Sequence, residues 1–424
     1  MSLYLPAVFG IDACIAAPPS KSYTHRALIA AACADGRSVI QHPLHSDDTG
    51  VTITALRHLG AAITGTGTSD LMVEGTGGDF TALPGISIDC HSSGTSMRML
   101  VSLALLADVP VCLTGSDRMQ QRPIAPLVDA LNTIGGQIRY LKEPGFPPVC
   151  VDGVFRGGNM EIDASASSQF LSSALMAAPC GATETVITTP QGPASRAYLD
   201  ITAEVMGIFG APVQREGYRC FSVSPKGYTP AEYTVEGDYS SVSYFFAMAA
   251  VCTGTVTVTH LNPVSCQGDR VFPNLLEQMG CRVTLGADSV TVTSDGRLRG
   301  ITADMGDAPD IALTLAAVAP FADGPTIITG IRNLRLKESD RLTAMVRIAA
   351  LGGAATYVSD DAATIIPDRM PGGGVIDPMD DHRTAMSAAV IALKRGDVGI
   401  LHPGCVEKSY PGFWDALREG GIIL

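Results

Sequence analysis

The chain has 424 residues, 46% hydrophobic and 17% charged, with 45 glycines, one tryptophan and a net charge of −13. That length exceeds what one hydrophobic core organises, so two domains are expected. The acidic balance argues against a nucleic-acid or anionic-membrane surface, because both need an excess of cations outside. Eleven cysteines without CxxC spacing point to reduced thiols in a cytoplasmic protein, not to a disulfide framework.

In chain order, the N-terminal "MSLYLPAVFGIDACIAAPPS" reads as a strand and then a turn. It lacks a basic leader, so no signal peptide is expected, and no apolar run reaches the ~18 residues of a membrane span. From there one element recurs: a small polar cluster, an Ala-rich helix, a break and a β-branched strand. It begins with "PPSKSYTHRALIAAACADGRSVI" and returns in "CHSSGTSMRMLVSLALLADVPVCLTG" and "ASASSQFLSSALMAAPCGATETVITT". "EGDYSSVSYFFAMAAVCTGTVTVTHL", "DAPDIALTLAAVAPFADGPTIITGI" and "DDHRTAMSAAVIALKRGDVGIL" complete the set. Anchored at Ser20, Ser93, Ser167, Ser240, Pro309 and His382, the copies are spaced by 73, 74, 73, 69 and 73 residues.

A second, amphipathic helix alternates with the first and ends in glycine: Gly60, Gly135, Gly210, Gly280, Gly352 and Gly420. Glycine there fits a left-handed C-terminal cap, which other residues adopt at a steric cost. Short strands such as "ATYVSD" follow the first five caps, so each unit reads βαβαββ. Six such units imply an α/β protein of two domains with three repeats each. The chain is expected to cross between them near Val235–Asp238.

"ALIAAACA" and "SALMAAP" are apolar all round, so the first helix of each unit should be buried. Only its N-terminal end is then exposed, where unpaired N–H groups and the helix dipole favour anions. The side chains there agree: Lys21, Ser22 and Arg26, then Ser92–Thr95 and Arg98, then Ser167, Ser168 and Gln169, and finally His382 and Arg383. The second helices begin with Arg122, Arg196, Lys337 with Arg341, and Lys408. In "NLRLKESDRL", Lys337 and Arg341 are expected on one helical face, four residues apart, with Glu338 beside them. Ser20, Ser93 and Ser240 read equally well as helix caps. The acidic pairs Asp47–Asp48, Asp360–Asp361 and Asp380–Asp381 read as surface turns. No Walker A lysine motif, dinucleotide fingerprint or zinc-ligand spacing is present, so neither cofactor nor metal is expected.

At "PPSKSYTHRALIAAA", "SSGTSMR", "QRPI", "SSQFLSSALMAAP", "LKESDR" and "DDHRTAM" the chain resembles the 5-enolpyruvylshikimate-3-phosphate synthase family. Ser92 departs from that family's usual asparagine, and Tyr23 is bulkier than the usual residue. The resemblance implies two inside-out α/β domains, residues 20–236 and residues 1–19 with 237–424. It also implies transfer of a carboxyvinyl group from phosphoenolpyruvate to the 5-hydroxyl of shikimate 3-phosphate, by a cytoplasmic monomer that closes on its substrates.

Carried over by motif, Ser22 and Arg26 would hold the shikimate carboxylate, and Ser167, Ser168 and Ser195 its phosphate. Asn333 and Lys337 complete that half, with Gln169 and Tyr198 near the ring. Lys21, the Gly94 backbone, Arg122, Gln169, His382 and Lys408 would bind phosphoenolpyruvate, its carboxylate forked by Arg341 and Arg383. Asp310 and Glu338 would move protons, with Lys21 a third catalytic group. Two rival readings remain: an enolpyruvyl transferase acting on UDP-N-acetylglucosamine, and a non-catalytic protein that closes on a phosphorylated ligand.

Overall fold

The computed structural model describes residues 2–368 and 371–423. Twelve α-helices occur among them: α1 Lys21–Cys33, α2 Asp47–His58, α3 Gly94–Leu103, α4 Ala125–Thr133, α5 Ser168–Ala177, α6 Ala197–Ile208, α7 Tyr239–Cys252, α8 Phe272–Met279, α9 Ala312–Val318, α10 Arg341–Leu351, α11 His382–Arg395 and α12 Phe413–Glu419. The odd-numbered helices carry the apolar-all-round sequences, and they are the buried ones. Every residue of α7 and α9 is buried, as is all of α1 beyond Ser22. Small side chains let such helices approach one another closely, and α3 packs on α5, α7 and α9 on α11.

The chain divides into two compact units, Pro19–Val235 and Met1–Pro18 with Glu236–Leu424, each with its own apolar core. In the first unit each repeat contributes one four-stranded sheet. Its second strand pairs antiparallel with the last strand of the repeat and, in the second and third repeats, in parallel with the strand before the buried helix. Strands alternate exposed and buried residues, as in Asp70–Glu74 and Ile11–Ala16. One face of each sheet therefore meets solvent while the other covers the helices, and the helices form the centre: the inside-out arrangement.

Two strands break sequence order. Glu232–Thr234, from the end of the Pro19–Val235 unit, pairs in parallel with Arg37–Gln41 and heads the first repeat. Ile11–Ala16 does the same for Gly254–Thr259 in the fourth repeat. The sixth repeat takes Ser2–Tyr4 onto Val398–Leu401.

Gly60, Gly135, Gly210 and Gly280 have φ between +78° and +119° and end their helices as expected. Gly352 and Gly420 do not: both are right-handed, with φ of −75° and −76°. The following residues, Gly353 and Gly421, take φ of +86° and +77°. Each helix runs one residue further before the left-handed turn. No helix among the described residues is long and apolar enough to cross a membrane.

Candidate active site

In the Pro19–Val235 unit the helix starts are tied to one another by side chains. Lys21 Nζ, in the first turn of α1, lies 2.9 Å from Asp48 Oδ2 in the first turn of α2. Ser96 of α3 donates to Asp48 O at 3.3 Å, and Gln169 Nε2 of α5 donates to Thr95 Oγ1 at 3.2 Å. Arg26 donates to Thr202 Oγ1 (2.8 Å), Ser22 O (3.0 Å), Tyr198 O (3.2 Å) and Ser172 Oγ (3.4 Å), which links α1 to α5 and α6. All four acceptors are uncharged, and burial lowers the Arg26 pKa to about 10.

Gly94, the first residue of α3, sits against two guanidinium groups. A Cβ there would lie 2.5 Å from Arg122 Nη1 and 2.8 Å from Arg98 Nη1. Arg98 itself donates to Gly94 O at 3.2 Å and to Pro123 O at 3.4 Å, and stands over the Phe170 ring. Ser167 caps α5 by accepting from Gln169 N, and Ser168 is buried beside it. Ser195 is buried with a left-handed φ of +55°, just before α6. A non-glycine residue holds that conformation only where its surroundings fix it. The site of this unit is thus a set of positive helix ends and cations, with the buried Asp48 carboxylate paired to Lys21 among them.

The second unit interleaves cations with carboxylates. Asp310 Oδ1 is 2.9 Å from Arg341 Nη1 and 3.8 Å from Lys337 Nζ, while Asp310 Oδ2 is 2.9 Å from Arg383 Nη2. Arg341 also pairs with Glu338 Oε2 at 2.8 Å and with Asp381 Oδ2 at 2.8 Å. Burial disfavours the Arg341 cation, but Asp381, then Glu338 and Asp310, outweigh it and hold its pKa above the ordinary arginine value. Asp381 is fully buried, receives Ser339 Oγ at 3.0 Å, and caps α11 by accepting from Arg383 N. His382 and Lys408 are buried, the latter on a turn packed against α11. Asn333 Oδ1 is buried with no hydrogen-bond partner among the described residues.

Behind Asp310 lies Asp269, buried on the turn that leads into α8 and hydrogen-bonded by Ser240 Oγ. Burial, then the Asp310 charge, pushes its pKa up to about 7, with Asp238 adding to the rise and Arg383 and Ser240 opposing it.

The expected residues therefore fall into two groups. Lys21, Ser22, Arg26, Gly94, Arg122, Ser167, Ser168, Gln169, Ser195 and Tyr198 belong to one unit; Asp310, Asn333, Lys337, Glu338, Arg341, His382, Arg383 and Lys408 belong to the other. Lys337 and Arg341 do not share a helix. Lys337 follows a 3-10 turn with φ −85° and ψ −164°, and α10 starts only at Arg341 because Asp340 accepts from Leu342 N and Thr343 N. Both cations still reach Asp310. Ser240 is not a cap; Asp238 caps α7. Ser20 stands at the cap position of α1 without a side-chain cap bond, whereas Ser93 does cap α3.

Of the acidic pairs expected on the surface, Asp360–Asp361 is exposed, but Asp48 and Asp381 are buried ion-pair partners. These two, with Asp269, are the site residues that motif reading passed over. Their position within a turn of a helix start was the available signal. Tyr23 is buried and donates to Glu204 Oε2 at 2.5 Å, and Ser92 Oγ lies 3.1 Å from Ser116 Oγ.

Residues 9–417 match the family model described as EPSP synthase (3-phosphoshikimate 1-carboxyvinyltransferase). The 3-phosphoshikimate 1-carboxyvinyltransferase of Methanoregula boonei is 52% identical over 421 residues, 99% of each chain. That of Methanoculleus marisnigri is 50% identical over 414 residues, covering 97% of this chain and 98% of the relative. Among solved structures, EPSP synthase from Acinetobacter baumannii superposes with a TM-score of 0.81 at 26% identity, covering 100% of this chain and 98% of that one. The enolpyruvyl transferase NikO from Streptomyces tendae shares the fold, with a TM-score of 0.76 at 17% identity over 99% of this chain and 97% of that one. The chain belongs to the EPSP synthase (3-phosphoshikimate 1-carboxyvinyltransferase) family.

Proposed function

We propose that this chain transfers the carboxyvinyl group of phosphoenolpyruvate to the 5-hydroxyl of shikimate 3-phosphate, releasing phosphate, with the residues above in distinct roles. The observation that carries the reading is Asp310, a carboxylate held by Arg341 and Arg383 at 2.9 Å each, with Lys337 at 3.8 Å. A pure anion receptor gains nothing from a carboxylate among its cations, because like charges oppose ligand binding. A proton-transfer site needs one.

The substrates carry two phosphates and two carboxylates between them, and the two groups of residues suit different parts of that load. In the Pro19–Val235 unit, Ser22 and Arg26 take the shikimate carboxylate. Arg26, buried among uncharged acceptors, gains its missing counter-charge from that ligand. Ser167, Ser168 and Ser195 take the ring phosphate at the start of α5 and α6, with Gln169 and Tyr198 against the ring. Lys21, the Gly94 N–H and Arg122 take the phosphate of phosphoenolpyruvate.

In the other unit, Arg341 and Arg383 fork the phosphoenolpyruvate carboxylate, with His382 and Lys408 beside them, while Asn333 and Lys337 reach shikimate 3-phosphate. The chemistry is addition and then elimination. A proton goes to the enol methylene as the 5-hydroxyl attacks and loses its own proton, and a methyl proton leaves as phosphate departs. Glu338 serves the methylene and Asp310 the hydroxyl, with Lys21 and the arginines stabilising charge that develops on phosphate and carboxylate. One chain contains both groups, so a monomer suffices, and its free cysteines suit the reducing cytoplasm.

The test is a phosphate-release assay with phosphoenolpyruvate and either shikimate 3-phosphate or UDP-N-acetylglucosamine as acceptor. Release is expected only with shikimate 3-phosphate. Glu338→Gln should cut turnover at least ~100-fold, the lower range for losing an acid–base group, with substrate affinity retained. Release with the nucleotide sugar would overturn the substrate, and near-native turnover of the variant would overturn the role of Glu338.

A further inference from the structure

Cys112 and Cys150 face each other across the sheet of the second repeat. Strand Val111–Thr114 runs antiparallel to Val149–Val151, with Cys112 directly opposite Cys150. The Cys112 N–H donates instead to Ile86 O, on the other side of its strand, at 3.0 Å. The N–H and C=O of a strand residue point the same way, so Cys112 and Cys150 form a non-hydrogen-bonded pair. In such pairs the Cα atoms approach to about 4.5 Å and the side chains lie close on one face. That separation is inside the range a disulfide spans, about 4.4–6.8 Å between Cα atoms.

The face is the outer one. Ser87, Cys112, Cys150 and Arg139 form a row across the sheet, with Ser87 and Arg139 exposed, Cys112 half-buried and Cys150 buried between Cys112 and Arg139. The two thiols are within hydrogen-bonding reach of each other. Burial, and then that contact, raises the Cys112 pKa, while Arg139 lowers it. Exchange through the thiolate should accordingly quicken as pH rises.

We propose that Cys112 and Cys150 are a dithiol modification site that closes to a cross-strand disulfide by exchange with a small-molecule disulfide. The half-exposed Cys112 thiolate attacks one sulfur of the oxidant, and one thiolate of the oxidant leaves. Cys150 then loses its proton and attacks Cys112 Sγ, expelling the second thiol. Both protein thiols are oxidised, and one oxidant disulfide is reduced to two thiols. Cys33 and Cys180 also touch, but Cys33 is wholly buried in the helix core, and no strand register fixes their separation.

The folded protein is incubated with oxidised glutathione at pH 7 and pH 9, alkylated, digested and read by non-reducing mass spectrometry. The expected product is a Cys112–Cys150 linked peptide pair, formed faster at pH 9 and removed by dithiothreitol. Cys150→Ser should instead hold one glutathione on Cys112, and Cys112→Ser should yield no link. In urea-unfolded protein the pair should form at least ~10-fold more slowly, since the register no longer places the sulfurs together. Stable glutathione on Cys112 in the native chain, a Cys33–Cys180 bridge with Cys112 and Cys150 still reduced, or equal rates in urea would each overturn the proposal.

Discussion

Replacing Asp269 with asparagine removes a titrating carboxyl while keeping an acceptor for Ser240. In the folded chain that carboxyl holds its proton to about pH 7, because of burial and then of Asp310; unfolded, it titrates near ~3.9. Below about pH 4 both states are protonated, and the group contributes no pH dependence. Between about pH 4 and 7 the folded state retains a proton that the unfolded state has lost, so stability falls as pH rises. The slope is about 1.4 kcal/mol per pH unit, and the accumulated cost levels off at about 4 kcal/mol above pH 7. Asp269→Asn should abolish that slope, leaving a variant markedly more stable than the native chain at pH 8 and close to it at pH 4. Urea unfolding across this range tests it, followed by the fluorescence of Trp414, the single tryptophan, which lies in the same unit. A stability difference between variant and native chain that is the same at pH 5 and pH 8 would refute the reasoning.

Gly94→Ala places a methyl group 2.5 Å from Arg122 Nη1. The guanidinium, being the end of a flexible side chain, moves aside, so the melting temperature should hold while the KM for phosphoenolpyruvate rises about tenfold, the ~1.4 kcal/mol of one weakened charge-assisted bond. An unchanged KM would detach Arg122 from that substrate. Asp381→Ala strips Arg341 of a fully buried partner and should cost about 3–5 kcal/mol in urea unfolding. Asp381→Asn, which keeps the cap acceptor but loses the charge, should cost less; equal losses would place the whole effect in the charge and none in the cap.

Most of the fold was legible because the repeat imposes the same local demands six times. The limits are equally physical. Where two glycines adjoin, at Gly352–Gly353 and Gly420–Gly421, spacing does not say which takes the left-handed turn, and the helix used the first as one more residue. In "KESDRL" the charge pattern suggested a helix through Lys337, yet Asp340 is a better cap than anything before it, and the helix waits for Arg341. The strands Glu232–Thr234 and Ile11–Ala16 pair with partners far away in sequence, and no local pattern carries that pairing. Asp48 and Asp381 looked like surface acids because residue type sets the prior, whereas their burial comes from arginine and lysine partners brought in by other helices.

One comparison between repeats explains why similar frames do different work. Asp48 and Asp269 occupy corresponding places, near the start of the second helix in the first and fourth repeats. In the first repeat the buried helix presents Lys21, and Asp48 is ion-paired at 2.9 Å. In the fourth, the buried helix presents Ser240, and the Asp310 carboxylate outweighs the Arg383 cation near Asp269. A hydroxyl can satisfy a lone pair but cannot balance a charge, so Asp269 keeps its proton to about pH 7. Below about pH 7 a second full negative charge is thereby withheld from the neighbourhood of Asp310, whose own charge is met by Arg341 and Arg383. A lysine beside the buried carboxylate of one repeat makes a structural ion pair; a serine beside that of the other, with burial and the Asp310 charge, leaves a buried acid.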